Sequence, residues 1–153
     1  MKNGNGTNAT PLAGNTDLLP HLPHIVTWDG FRLKVSANGI VSRWRRGPAD
    51  TLSPPDAEVA ICRKFFDSVP INARIKGFNH GSYGLKHLIE DEAHAYICNG
   101  AAIVAAYLAG FRIQADSCGL NASFGIAKAW MRRRKQQKEI EMASKKNAID
   151  DAW

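Results

Sequence analysis

From Ala101 to Ala109 the chain sets nine consecutive residues that are apolar or Tyr, with no charged or amide side chain among them. A helix that is apolar on every side cannot lie on a surface, so this run must be the buried centre on which the rest packs. Asn99 is read as its N-terminal cap. Gly110, able to take a left-handed conformation, is read as its stop, with Phe111 making the accompanying hydrophobic contact. Just upstream, Ser82 is read as the cap of another helix. Its Leu85, Leu88, Ile89 and Ala93 lie on the inner side, and Lys86, Glu90 and Asp91 face water. The two helices predict a compact helical core over residues 82–111.

The chain ahead of this core changes character twice. Residues 1–24 are rich in Asn, Gly, Thr and Pro and lack apolar periodicity, so they are expected to remain a disordered tail. From Ile25 the sequence reads IVTW, Asp29-Gly30, FRLKVSA, Asn38-Gly39, IVSRW, two strong hairpin dipeptides between β-branched and aromatic runs. This predicts a three-stranded antiparallel meander over residues 25–46. Its middle strand alternates Phe31, Leu33 and Val35 with Arg32, Lys34 and Ser36, giving one apolar and one positively charged face. After a break at Gly47-Pro48, Ser53 and Pro54 are read as the start of a helix over residues 54–68. Ala57, Ile61, Phe65 and Phe66 would lay that helix across the apolar face of the meander. Pro70 stops it, and Ile71–Asn79 reads as a short strand or an extended connection.

At the other end Ser123 is read as the cap of a last helix over residues 123–150, anchored by Trp130 and Met131. Arg132, Arg133, Arg134, Lys135 and Lys138 follow almost without interruption, so the helix is expected to leave the body there. Between Asn121 and Trp153 eight Lys or Arg stand against four Asp or Glu, supplying +4 of a formal net charge of +6 in 153 residues. The expected fold class is α+β. A single domain over residues 25–131 would carry a meander covered by a helix, a helical core, and a basic C-terminal helix.

The charge balance favours nucleic acid or another acidic partner. Clustered Lys and Arg neutralise phosphates and release condensed counterions; the competing reading of the same residues is a solvated helix end. Arg32, Lys34, Arg43, Arg45 and Arg46 offer a second cationic surface on the meander, where the competing reading is the ordinary polar face of a sheet. A helix-turn-helix is excluded, because the second helix has no side chain able to read bases. His80, His87 and His94 recur at spacing seven, and His94 stands four residues before Cys98, but no HExxH, CxxC or phosphate-loop pattern accompanies them. Neither metal nor cofactor is expected, nor a catalytic residue. Cys62, Cys98 and Cys118 are too few and too scattered for a disulfide framework, which points to a reducing cytoplasm. No signal-peptide core or membrane-span run is present, so no membrane partner is expected.

The phrase Ser82-Tyr83-Gly84-Leu85-Lys86-His87, then Tyr96-Ile97-Cys98-Asn99-Gly100, Ile103, Ala105-Ala106, Gly110-Phe111 and Asn121-Ala122-Ser123-Phe124, resembles a segment of small accessory proteins of bacterial plasmids and phages. The resemblance covers residues 81–126. It implies a mobile-element origin in a bacterial host and supplies no catalytic residue. Charge placement and resemblance together lead to the expectation of a phage or plasmid accessory protein that binds nucleic acid, DNA first, through phosphates. The alternative is an anti-defence inhibitor, of anti-CRISPR or anti-restriction type, docking on a host nucleic-acid-binding protein complex.

Overall fold

The apolar run forms a buried helix over Asn99–Leu108 in the computed structural model, which describes residues 19–41, 51–117 and 119–152. In chain order the elements are strands β1 (His24–Val26), β2 (Arg32–Ser36) and β3 (Gly39–Ile40), helix α1 (Asp56–Asp67), strand β4 (His80–Gly81), helices α2 (Ser82–Ala93) and α3 (Asn99–Leu108), strands β5 (Gln114–Ala115) and β6 (Ala122–Phe124), and helix α4 (Lys128–Asp151). The architecture is α+β. β1, β2 and β3 form the antiparallel meander, pairing Ile25 with Leu33 and Val35 with Ile40. A second antiparallel sheet runs in the order β4, β6, β5.

α3 is the hub because its side chains are small. Ala101, Ala102, Ala105 and Ala106 are fully buried, which lets α1 and the meander approach its backbone closely. Gly100 marks the tightest point. It donates to the Ala37 carbonyl at 3.0 Å, and a Cβ there would fall on the Ser36 carbonyl oxygen. The stop is as expected: Gly110 is left-handed, its N–H reaching Tyr107 O and that of Phe111 reaching Ala106 O, both at 3.0 Å. Phe111 then meets Phe66 of α1 and Phe124 of β6 edge to face, at 5.3 and 6.4 Å between centroids. Arg74 seals this corner. Its guanidinium donates to Phe66 O and Val69 O at the end of α1 and to Ala109 O at the end of α3, and lies 4.2 Å over the Phe111 ring.

Several expectations need correction. α1 begins at Asp56 with Pro55 as its extended cap, because a residue preceding proline is held out of the helical region and Pro54 precedes Pro55. Its inner face is Cys62, Phe65 and Phe66, while Ala57 is exposed. α1 packs mainly on α3, and it is α3 that covers the meander. Asn99 and Ser82 are first helical residues and cap nothing with their side chains; the Ser82 hydroxyl instead accepts the Ala122 N–H at 3.1 Å. Ser123 lies in β6, and the last helix starts five residues later with Ala127 as its cap. Residues 71–79 hold a single 3-10 turn, Ile71–Ala73, followed by a bridge from Arg74 to Ile126. The proposed tail ends sooner than expected, since Leu22 is buried and Pro23 O accepts the Val35 N–H at 2.9 Å. Its first 18 residues, and residues 42–50 of the meander and linker, lie outside the described residues.

Candidate functional site

α4 carries the cations singled out in the sequence, and the structure divides them. Arg134 turns inward. Its guanidinium grips both carboxylate oxygens of Glu92 on α2, with Nη2 2.6 Å from Oε1, and lies 4.6 Å over the Phe65 ring. With Trp130 edge-on to Phe65 at 6.2 Å, it fastens the first turns of α4 to α1 and α2. Arg134 is thus a fastener, occupied within the protein.

Arg132, Arg133 and Lys135 are exposed, and among the described residues no carboxylate pairs with them. Lys138 is half-buried and lies 3.7 Å from Glu141. Lys128, not anticipated from the sequence, is exposed too; with Arg132 and Lys135 it recurs at i, i+4 and i+7, so the three line one face of the helix. The first turn has no acidic residue, so Lys128 sits at the positive end of the helix dipole without compensation. From Glu139 to Ala152 every residue is exposed, so the helix leaves the body only after Lys138, about two turns later than expected, because Arg134 holds it to Glu92.

The meander cations are placed elsewhere. Arg32 is exposed and bonded to the His24 ring at 2.8 Å, and Lys34 is half-buried. β2 packs on α3, whereas α4 is held by α1 and α2. The charged face of β2 also ends early, because Ser36 is buried beneath Gly100. Arg43, Arg45 and Arg46 lie outside the described residues.

A second assembly was not legible as a site. Lys86, expected in water, is buried. Its ammonium donates to Glu90 Oε1 and to Ile97 O, each at 2.9 Å, and lies 5.6 and 4.9 Å from the rings of Tyr83 and Tyr96. The Lys86 bond holds the Glu90 carboxyl below the usual glutamate range, against the opposing effect of burial and with further help from the Ile97 N–H and His87. Beside this pair opens a cavity of about 480 Å³ lined by Asn38, Tyr83, Lys86, Tyr96, Asn99 and Asn121. Asn99 directs its amide N–H groups to Asn38 O, Leu120 O and Asn121 Oδ1. Its Oδ1 is buried with no hydrogen-bond partner among the described residues. An orphaned buried acceptor costs about 1–3 kcal/mol, so its place in this wall calls for a reason.

The histidines do not converge. His80 bonds to Asn79 at 3.0 Å, with its pKa lowered first by burial and then by Lys128; His87 pairs with Glu90; His94 ends α2 in a left-handed turn. Among the described residues no three His, Cys, Asp or Glu side chains are grouped to hold a metal. Burial pushes the Cys62 thiol up to about 12 and the Cys98 thiol up to about 11, which leaves little thiolate for nucleophilic chemistry. No described helix is long and apolar enough to cross a membrane.

Fold and site together define an α+β protein built on a buried alanine-rich helix, with an exposed cationic helix and a polar, tyrosine-flanked pocket. No family model, curated protein or solved structure matches the chain.

Proposed function

We propose that this protein is a nucleic-acid-binding accessory protein that engages phosphates through the first turns of α4. Lys128, Arg132, Arg133 and Lys135 supply the contacts, Lys138 extends them, and Arg134 holds the helix in place. The observation that carries this reading is a run of exposed cations without acidic partners, standing on a helix that is itself anchored. Such charges repel one another, and a polyanion relieves that repulsion while releasing its own counterions. Arg32 on the meander is a secondary contact.

A second reading keeps the same cations and changes the partner to a host nucleic-acid-binding protein complex, as an anti-defence inhibitor would. It is favoured by the exposed Met142 and Ile149 beyond the cations, apolar surface that phosphate contacts do not use. Affinity capture from bacterial lysate with and without nuclease separates the two. Recovery of DNA or RNA that nuclease abolishes supports the first reading. Recovery of one protein, undiminished by nuclease but lost in Arg132→Ala with Arg133→Ala, overturns it in favour of the second.

A further inference from the structure

We propose that the pocket between Tyr83, Tyr96 and Asn99 is a binding site for a single nucleobase. Three features of its wall choose this chemistry. The first is the pair of tyrosines. Tyr96 is 71 % exposed and Tyr83 55 %, both rings stand near the Lys86 ammonium, and they offer aromatic surface at the mouth of a cavity of about 480 Å³. That volume lies within the range of small-ligand sites, which combine aromatic walls with a few placed polar groups.

The second feature is that the wall offers both a donor and an acceptor. An ammonium has three N–H groups. Glu90 and Ile97 take two from Lys86, and the third has no hydrogen-bond partner among the described residues. Asn99 Oδ1 has no donor but also no accessible surface, so the acceptor the wall presents is Asn121 Oδ1, which takes one N–H from Asn99 and keeps a second lone pair. Lys86 and Asn99 are each more than nine-tenths buried, so the ammonium and the Asn121 amide that Asn99 holds are anchored in the body of the protein. A nucleobase edge alternates acceptors and donors in a plane that stacks on aromatic rings, and it satisfies both.

The third feature is what the pocket lacks. Glu90 at 2.9 Å neutralises Lys86, and no arginine lines the cavity, so a phosphate or carboxylate alone finds little to hold it. Ala37 and Leu120 are the only aliphatic residues of the lining, too little apolar wall for an alkyl chain. The inference stands apart from the α4 reading, since no α4 residue lines this pocket.

The base can come from a free nucleotide or from an unpaired position of a strand. The test uses the full chain with the four nucleoside 5′-monophosphates in one arm, a twelve-nucleotide single strand in a second, and ribose 5-phosphate as control, all followed by NMR of the protein and by calorimetry. At least one monophosphate, or the strand, is expected to bind with a preference among bases and to shift the Asn99 side-chain amide. Tyr96→Ala and Tyr83→Ala, both at exposed positions, are expected to weaken that binding at least about tenfold with the fold retained. Binding confined to the strand arm, and lost in Tyr96→Ala, assigns the base to a strand. Arg132→Ala combined with Arg133→Ala and Lys135→Ala is expected to spare monophosphate binding, which separates this site from the α4 contacts. The proposal is overturned if neither arm binds, if ribose 5-phosphate binds as well as the nucleotides, or if the tyrosine variants bind unchanged.

Discussion

Arg134 of α4 and Glu92 of α2 form a two-point ion pair across the packing of two helices, with side chains only 18 % and 24 % exposed. At that degree of burial a bidentate pair resting on an aromatic ring is worth more than a surface salt bridge. Arg134→Ala is therefore expected to cost about 1–3 kcal/mol of stability, partly through the stranded Glu92 carboxylate. Arg132→Ala and Arg133→Ala are expected to change stability by less than about 0.5 kcal/mol. Urea unfolding of the three variants checks this, and equal losses would show that Arg134 is no fastener.

Gly100 and Gly84 make a second contrast. A Cβ at Gly100 would stand 1.8 Å from the Ser36 carbonyl oxygen, whereas at Gly84 nothing lies within 4 Å. Gly100→Ala must push α3 off the meander and is expected to cost about 3 kcal/mol or more. Gly84→Ala, in the first turn of α2, is expected to stabilise by up to about 0.5 kcal/mol. Thermal unfolding of both variants reads the difference in sign.

Lys86 and Glu90 give the fold an acid-sensitive joint. Because the folded-state pKa of Glu90 is lowered, its contribution is fully present above the ordinary value of 4.5 and is lost as the pH falls through the lower folded value. Stability measured between pH 6 and pH 3 is expected to fall more steeply for the wild type than for Glu90→Gln. At pH 7 the variant is expected to be the less stable of the two, because the buried Lys86 ammonium then faces a neutral amide in place of a carboxylate. Parallel pH profiles would contradict the assignment.

Cys62 and Cys98, buried and with raised pKa values, are expected to resist alkylation by iodoacetamide in the native protein at pH 8 and to react once it is unfolded. Peptide mapping after native and denatured labelling reads each site separately. Rapid native labelling of Cys98 would reopen a nucleophilic role.

Much of this architecture is legible in the residues because it follows local rules. The apolar run had to be buried, as it is from Ala101 to Ala106 though not at Leu108, Gly110 had to stop it, and Asp29-Gly30 had to turn between two strands. What periodicity conceals is the effect of neighbours distant in sequence. Lys86 occupies an outward position by helical spacing and becomes buried because the Tyr96–Cys98 segment folds back over it and offers Ile97 O. Arg134 reads like its neighbours until Glu92, 42 residues away, selects it. Ser123 resembles a cap because serine suits both a cap and a strand edge, and pairing with Gly81 and Gln114 decides between them. The pocket draws Asn38, Tyr83, Asn99 and Asn121 from four separate stretches, so no window of sequence contains it.

The most direct test of the phosphate-binding account is the salt dependence of binding to random-sequence DNA, measured by fluorescence anisotropy for the wild type and for the combined Arg132→Ala, Arg133→Ala and Lys135→Ala variant. Each phosphate contact contributes roughly 0.9 to the slope of log affinity against log salt. The account predicts measurable wild-type binding that weakens steeply with salt, and a variant whose slope is shallower by about two to three with its unfolding midpoint unchanged. Equal slopes for the two proteins, or no wild-type binding at low salt, would contradict it.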